Sequence, residues 1–312
     1  MRLKPFLRFR RRVIGLISSL SLLPFYFYLF TFAFTGVPRT SLAFPEDERG
    51  PMETGAPPAA TRQQSTTPAE IKIISYNIRW REGRDLEKLI ELFRNDREIG
   101  HAGILALQEV DRNKKRTNNT NTIKRIASAL NMYYAWAAPP PQAANSREAQ
   151  EEETGVALLS EYPMTDIKQL VLPNPGPKGR RRVALGATIQ LGTIELRVYS
   201  VHAETRIPIP QKIEQYSAVI DDVKQHPKVE RTIIMGDFNT WEGASVGQTT
   251  KLFTAAKFST PFSEQEPTWK RFIIQLKLDW VWLRGPFQVK SYGIDHTIEL
   301  SDHWPLWLEL KL

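Results

Sequence analysis

Short apolar runs dominate the chain from residue 70 onward, and most of them end in a polar residue. The runs are rich in β-branched and aliphatic side chains, which is typical of buried strands. We predict strands at positions 71–78, 104–110, 155–160, 183–189, 194–201, 231–240, 278–283 and 304–310. Because these runs are too long and too apolar to be solvated on both faces, we expect sheets that pack on each other and are covered by helices.

Three other segments have the spacing of amphipathic helices rather than of strands. From Asp85 to Phe93, the apolar side chains recur every three or four residues, which places them on one helical face. The same type of pattern extends from Thr122 to Leu130 and from Lys212 to Lys224. We therefore predict a domain in which many strands alternate with a few helices.

The first 36 residues have the composition of a targeting segment. Six basic residues occur within the first twelve positions, and Val13–Phe34 is then a run of 22 residues without a charge. This length can cross a bilayer as a helix, with the basic residues on the cytoplasmic side. The alternatives are a signal peptide that is cleaved after Ala43 and a helix buried in the folded domain. The first two interpretations place the rest of the chain outside the cytoplasm, either anchored to a membrane or secreted into the periplasm or medium.

Residues 37–69 are rich in proline, glycine, serine and threonine. Such a segment cannot bury enough apolar surface to order itself, so we predict a linker between the targeting segment and a domain at 70–312. We expect the chain to act as a monomer.

The net charge of +8 would indicate a nucleic-acid-binding protein if it were spread over the domain. Most of it belongs to the targeting segment, and residues 70–312 carry about +3. This nearly balanced charge disfavours, without excluding, a polyanionic partner. The chain has no cysteine, which excludes disulfides, thiolate catalysis and cysteine-bound metals.

The most informative stretch is the end of the run at 231–240. Asp237 and Asn239 are two positions apart in an extended segment, so their side chains point to the same side. A second polar cluster, Ser301-Asp302-His303, precedes the last strand. Asp279 lies in an apolar strand, where an unpaired charge would be costly, so it needs a hydrogen-bonding or cationic partner such as a histidine.

Other polar residues also follow predicted strands, namely Asn77, Glu109 and His202. Each of them, taken alone, is compatible with an ordinary loop, turn or helix cap. Their repetition at strand ends favours one shared site instead. The Arg180-Arg181-Arg182 run could be a solvated turn or a loop that reaches a substrate phosphate, and we consider Arg181 and Arg182 as candidates for that contact.

These residues form a recognisable series. In chain order, its motifs are Tyr76-Asn77, Gln108-Glu109-Val110, His202, Gly236-Asp237-Phe238-Asn239, Leu278-Asp279 and Ser301-Asp302-His303. The series resembles the endonuclease/exonuclease/phosphatase superfamily over about residues 70–312. The resemblance implies a four-layer α/β sandwich of the DNase I type, in which two mainly antiparallel sheets are flanked by helices.

The resemblance also implies Mg²⁺-dependent hydrolysis of a phosphate ester, with Mn²⁺ as a second candidate cation. Mg²⁺ is a hard cation that prefers carboxylate and amide oxygens. The metal ligands that the resemblance implies are Glu109, Asn77 and Asp302.

The remaining residues of the series would act on the substrate. Asp237 would orient or deprotonate the attacking water, and Asn239 would hold its geometry or a phosphate oxygen. His303 would pair with Asp279, which favours the imidazolium, although His303 could itself serve as the base. His202 would donate to a nonbridging phosphate oxygen.

Three classes of function remain open at this point. An enzyme that cleaves phosphate esters of small molecules or lipid headgroups fits the membrane segment best. A nuclease is the second possibility, although its affinity for DNA or RNA would rest on many basic contacts. A membrane-tethered interaction domain without catalytic activity is the third.

Overall fold

The computed structural model describes residues 50–58, 66–140 and 153–312. The predicted targeting segment at 1–36 and the candidate cleavage position after Ala43 lie outside these ranges. Among the helices within them, none combines the length and the apolar character needed to cross a bilayer.

Within the described ranges the chain forms fourteen strands and four α-helices. The strands are β1 Met52–Gly55, β2 Glu70–Asn77, β3 Ile104–Arg112, β4 Tyr133–Ala137, β5 Glu153–Ser160, β6 Met164–Val171, β7 Val183–Leu191, β8 Ile194–His202, β9 Arg231–Asp237, β10 Trp269–Arg271, β11 Ile274–Leu276, β12 Asp279–Arg284, β13 Gln288–Ile294 and β14 Leu306–Lys311. The helices are α1 Gly83–Asn95, α2 Thr122–Leu130, α3 Ile209–Val223 and α4 Gly243–Ala255.

Most strands belong to two large sheets. The seven-stranded sheet has the order β1-β4-β5-β3-β2-β14-β13, and the five-stranded sheet has the order β12-β9-β8-β7-β6. Neighbouring strands are antiparallel except for the parallel pairs β2–β3 and β8–β9. Strands β10 and β11 form a separate hairpin. The prediction of two mainly antiparallel sheets is confirmed.

Alternation along the strands sets the layers of the core. In β2, Ile73 belongs to an apolar cluster shared by the two sheets, whereas its neighbour Ile74 packs with α1 and α2. A third cluster joins the five-stranded sheet to α3 and α4, for example through Tyr216 and Phe253. The molecule is therefore the predicted four-layer sandwich, with helices outside and two sheets inside.

The three predicted helices are present with small changes at their ends. Helix α2 has the predicted bounds because Asn121 caps it, accepting a hydrogen bond from the backbone of Lys124 at 3.2 Å. Asn131 adopts a left-handed conformation and ends the helix. Helix α1 extends two residues beyond the prediction at each end, and α3 starts three residues earlier, at Ile209.

The prediction that residues 37–69 form only a linker is wrong for one stretch. Strand β1, between Pro51 and Pro57, pairs antiparallel with β4 at the edge of the larger sheet. Its Glu53 carboxylate accepts hydrogen bonds from Arg112 at 2.9 Å and from Tyr134 at 2.7 Å. Pairing satisfies the backbone of an otherwise open edge, which composition alone does not reveal. The folded unit therefore includes residues that precede position 70.

Candidate active site

Three adjacent strands of the five-stranded sheet place polar side chains in one row. Asp237, the last residue of β9, lies opposite His202 on β8 and opposite Asp279 on β12. Directly opposite residues point to the same face of a sheet, so the three side chains meet. The preceding Gly236 has a φ of 140°, and a Cβ there would lie 2.1 Å from the carbonyl oxygen of Val201. No other residue would fit where the backbone approaches so closely.

The loop before β14 brings His303 to this row. His303 Nδ1 lies 2.8 Å from Asp279 Oδ2, and both side chains are buried. This is the partner that Asp279 was predicted to need. Burial alone would lower the pKa of His303, but the carboxylates of Asp279 and Asp237 outweigh it and raise that pKa to about 10. The carboxylates therefore favour the imidazolium form of this ring at neutral pH.

Asp237 is at the centre of the site and is 2% exposed. Its Oδ2 accepts a hydrogen bond from Asn77 Nδ2 at 3.0 Å and lies 3.6 Å from His202 Nε2 and 3.7 Å from His303 Nε2. Its Oδ1 accepts from the backbone of Asn239 at 2.9 Å. Burial raises the pKa of Asp237 to about 7, with Asp279 adding to the shift and the His303 imidazolium opposing it.

Glu109 lies in a β-bulge rather than at a strand end. Strand β3 continues to Arg112, and its register with β5 shifts between Gln108 and Val110. Glu109 itself has a φ of 55°, a conformation that costs a non-glycine residue on the order of 1–3 kcal/mol. The bulge turns its carboxylate into the pocket, where Asn77 Nδ2 lies 3.4 Å from Oε1.

Asn77 joins the two sheets at the floor of the site. It ends β2 in the larger sheet, and its Nδ2 donates to both Glu109 and Asp237. Its Oδ1 accepts from the backbone of Arg79 at 3.1 Å. In this orientation the amide acts as a hydrogen-bond donor between two acids, which differs from the oxygen-ligand role implied by the resemblance.

Asp302 lies on the more open side of the pocket. Its Oδ2 forms an ion pair with Arg79 Nη1 at 3.0 Å, and its side chain remains partly accessible. Sequence reasoning did not identify Arg79, although it follows Asn77 by two positions. That proximity to a predicted site residue was the available signal.

His202 is neutral in this environment. Burial and the nearby guanidinium of Arg182 keep the pKa of His202 well below its usual range. Arg182 Nη1 lies 3.4 Å from His202 Nδ1, which leaves the Nε2 side of the ring directed towards Asp237. A neutral ring that accepts at Nδ1 carries its proton on Nε2, where it can donate to a substrate oxygen.

The side chains of Arg180, Arg181 and Arg182 do not all lie on the same side of the chain. Arg180 and Arg182 both reach the buried carboxylate of Glu204. Arg182 also lines the pocket, whereas Arg181 is not among the lining residues. Alternation along the extended chain accounts for this division.

A pocket of about 350 Å³ opens over these groups. Asn239 lines it, and its Nδ2 is fixed by donating to the carbonyl of Ala203 at 3.0 Å. One wall is apolar and consists of Trp241, Trp269, Leu276 and Leu278, of which only Leu278 belongs to a motif of the predicted series. Trp241 follows Asn239 by two positions, so it too was near a predicted site residue.

Two groups of side chains could hold a divalent metal. Asp237, Asp279 and His303 place one possible ligand atom each within 4.8 Å of one another. In that group His303 already uses Nδ1 for Asp279, and because its pKa is raised, a metal would have to displace the proton on Nε2. Glu109 and Asp302 instead offer carboxylate oxygens on the accessible side, as a hard cation prefers. Within the described ranges, no lysine or arginine is ion-paired with Glu109.

Several solved structures have a fold similar to that of this chain. The structure of an endonuclease/exonuclease/phosphatase from Beutenbergia cavernae has a TM-score of 0.60 at 15% identity, covering 78% of this chain and 72% of that chain. One from Bacteroides vulgatus has a TM-score of 0.60 at 16% identity, covering 78% and 100%. ANGEL2, a 2′,3′-cyclic phosphatase in complex with adenosine-2′,3′-vanadate, has a TM-score of 0.59 at 12% identity, covering 77% and 95%.

At these identities the structural likeness shows the fold. No curated protein sequence matches this chain significantly. The sequence model of the endonuclease/exonuclease/phosphatase family matches residues 74–303, which is well over half of the chain and extends from the strand that carries Asn77 to His303. The chain therefore belongs to the endonuclease/exonuclease/phosphatase family.

Proposed function

We propose that the protein is a metal-dependent hydrolase that cleaves phosphate esters outside the cytoplasm. The observation that carries the proposal is the buried Asp237 carboxylate, held by Asn77 and the backbone of Asn239 beside the Asp279–His303 pair. A carboxylate with a raised pKa next to a fixed imidazolium is an arrangement suited to proton transfer. ANGEL2, which has a similar fold and is a 2′,3′-cyclic phosphatase, supports cleavage of a phosphate ester as the reaction class.

The raised pKa of His303 supports different roles for Asp237 and His303. Because the pKa of His303 is raised to about 10, its ring is protonated at neutral pH and cannot accept the proton of water. Asp237 then orients and deprotonates the nucleophile. His303 donates from Nε2 to the developing negative charge, while Asp279 holds the ring in place through Nδ1.

His202 and Asn239 complete the contacts to the phosphoryl group. The neutral His202 ring donates its Nε2 proton to a nonbridging oxygen. Asn239 is oriented by the carbonyl of Ala203 and holds the nucleophile or a second phosphate oxygen. Arg182 lies in contact with His202 and lines the pocket, where its guanidinium offsets the negative charge of the phosphate.

The donor set fits a hard divalent cation, and we propose Mg²⁺, with Mn²⁺ as the alternative. Glu109 and Asp302 would hold it, and Asn77 would orient Glu109 through the hydrogen bond at 3.4 Å. A cation bound there would polarise the phosphoryl oxygens and neutralise charge on the leaving group.

A lipid headgroup or an extracytoplasmic small molecule is the substrate class that we favour. The apolar wall of Trp241, Trp269 and Leu276 beside the polar row suits an ester with an apolar part. The predicted membrane segment would keep the enzyme close to lipid.

One observation favours nucleic acid as the second candidate. Near the pocket, Trp80 is surrounded by three guanidinium groups, and that of Arg116 lies 4.3 Å from the ring centroid. An aromatic side chain among arginines is typical of single-stranded nucleic-acid contacts. The small net charge of the domain argues against this candidate.

A hydrolysis panel tests the proposal. The full-length enzyme would be assayed with bis-p-nitrophenyl phosphate, sphingomyelin, inositol phosphates, plasmid DNA and abasic DNA, each with Mg²⁺ or with EDTA. We expect hydrolysis that needs the cation. Activity on DNA that falls steeply with salt would favour the nuclease. The absence of hydrolysis on every substrate would contradict the proposal.

A further inference from the structure

The hairpin of β10 and β11 presents an apolar tip to solvent. Phe272 is 83% exposed, Ile273 is 96% exposed and Ile274 is 56% exposed. Elsewhere in the part of the chain that the structure describes, exposed large apolar side chains occur singly, at Met52, Trp241 and Tyr292. Scattered apolar residues are ordinary on a surface, whereas three consecutive ones indicate an interaction site.

The tip also departs from the usual composition of a turn. Two-residue hairpin turns favour asparagine, aspartate and glycine, which tolerate a positive φ. Here Phe272 adopts a φ of 55° and is followed by Ile273. These two side chains contribute nothing to the apolar clusters of the core. Turn geometry and packing therefore leave the choice of phenylalanine and isoleucine unexplained.

The base of the hairpin is attached to the active site. Trp269 and Leu276 both line the pocket. The backbone of Lys270 donates to the carbonyl of Asp302 at 2.8 Å, and Trp269 forms an isolated bridge with His303. The position of the tip is thereby fixed relative to the residues that we assign to catalysis.

The charge of the hairpin is complementary to an anionic surface. Lys270 and Arg271 are exposed on it, and residues 269–276 contain no acidic residue. Basic side chains beside exposed aromatic and aliphatic ones are the composition of segments that insert shallowly into the headgroup region of a bilayer. Trp241, which is 49% exposed at the pocket, is of the residue type that concentrates at that interface.

We propose that Phe272 and Ile273 insert into an anionic lipid bilayer and hold the pocket at the level of the headgroups. A bilayer fits better than a protein partner because the same chain carries an uncharged run of 22 residues after six basic ones, which as an uncleaved anchor would keep the domain at a membrane. The insertion stands independently of catalysis. Its consequence for substrate, a phosphate ester embedded in the bilayer, rests on the proposed function.

The absence of cysteine allows a direct test on the full-length chain. An Ile273→Cys variant would carry an environment-sensitive fluorophore, and the protein would be reconstituted into vesicles of phosphatidylcholine and phosphatidylglycerol. Met52→Cys is the matched control, because Met52 is 48% exposed on β1, at an edge of the larger sheet. We expect lipid-borne nitroxides to quench the fluorophore at 273 and not the one at 52.

Quenching of the fluorophore at 273 from the aqueous phase would overturn the proposal of insertion. If iodide in the aqueous phase quenches the fluorophore at 273 in vesicles as strongly as in detergent-free buffer, the tip stays in water. A tip covered by a protein partner would not be quenched by lipid nitroxides either. The absence of nitroxide quenching at 273 therefore contradicts the proposal, whether the tip is in water or against a protein.

A second experiment links the tip to substrate and separates the two proposals. The double variant F272S/I273S is compared with Met52→Ser on bis-p-nitrophenyl phosphate in solution and on phospholipid in vesicles. We expect the double variant to retain the wild-type rate in solution and to lose most of the rate on vesicles. Equal rates on vesicles would overturn the role of the tip. If the wild type hydrolyses neither substrate while the fluorophore is quenched, only the proposed function fails.

Discussion

The two sides of the pocket differ in burial and in the number of fixed contacts. On one side, Asp237, Asp279 and His303 are each no more than 5% exposed and are joined by hydrogen bonds or close ion pairs. We call these three residues the buried cluster. On the other side, Glu109 and Asp302 remain partly accessible, and Arg79 is ion-paired with Asp302. We call Glu109 and Asp302 the open side.

This difference in burial suits the two sides of the pocket to two tasks, proton transfer and metal binding. Buried charges are tolerated only when they are paired, so the buried cluster is fixed before substrate arrives and can stabilise charge without rearranging. A hydrated cation needs accessible oxygens that leave room for its waters, and the open side provides them. Under the proposed function, proton transfer therefore falls to the buried cluster and metal binding to the open side.

The largest effect is expected from Asp237→Asn. The amide keeps the shape and cannot accept the proton of water, so kcat should fall about 10²–10⁴-fold. Thermal unfolding should be little affected, because the variant removes a carboxylate that burial already disfavours. Near-wild-type turnover of this variant would show that Asp237 is not the general base.

The next effect is expected from Glu109→Gln on the open side. The loss of one charged ligand should weaken cation affinity by at least about 10–100-fold, the range typical of partners that only orient a ligand, so activity should recover in part when Mg²⁺ is raised. Steady-state rates over a Mg²⁺ titration measure this change. Glu87→Gln, at an exposed acid on α1, is the control and should titrate like the wild type. A Glu109→Gln enzyme with an unchanged titration would place the cation elsewhere.

A smaller effect concerns the pH dependence of the buried cluster. In the wild type, the pKa of His303 is raised to about 10, so the imidazolium is present at neutral pH and is lost only as pH rises through that value. Asp279→Asn removes the largest contributor among the three carboxylates that raise this pKa, so the alkaline decline of kcat should begin at lower pH. A decline that stays at the wild-type pH would show that the protonation of His303 does not matter.

The smallest effect separates two neighbouring arginines. Arg182→Ala should raise KM about tenfold, because a hydrogen bond to a charged group contributes about 1.5–3 kcal/mol. Arg180 still pairs with Glu204 in that variant. Arg181→Ala is the matched control, since Arg181 does not line the pocket, and its KM should stay at the wild-type value. An equal rise in both variants would indicate general charge attraction rather than a contact.

Sequence patterns predicted the elements with a clear apolar periodicity and missed several short or weakly patterned ones. Strand β4 is among those missed, although it buries Ala135, Trp136 and Ala137. Helix α4 buries Ser245 and Thr249 on the same face as Phe253, so its apolar periodicity is weak. Their hydroxyl groups are satisfied by backbone carbonyls one turn away, which only the folded helix provides. Strand β1 was missed because proline-rich surroundings conceal a four-residue pairing at the sheet edge.

The candidate site was predictable from sequence where its polar residues lie at the ends of strands. The repetition of polar residues at strand ends predicted one shared site, and His202, Asp237 and Asp279 do meet there. The pairing of Asp279 with His303 was implied by the family resemblance. The bulge at Glu109 depends on the register between β3 and β5, which a single strand does not reveal. The apolar hairpin tip and the wall beside the pocket depend on contacts distant in the sequence.

Binding of Mn²⁺ to the full-length chain, followed by electron paramagnetic resonance, tests the division between the two sides most directly, because it does not require activity. The variants to compare are Glu109→Gln, Asp237→Asn and Asp279→Asn. We expect Glu109→Gln to weaken the affinity at least about tenfold, whereas the two aspartate variants should bind nearly as the wild type does. Loss of binding in Asp237→Asn and Asp279→Asn, with Glu109→Gln unchanged, would instead place the cation in the buried cluster.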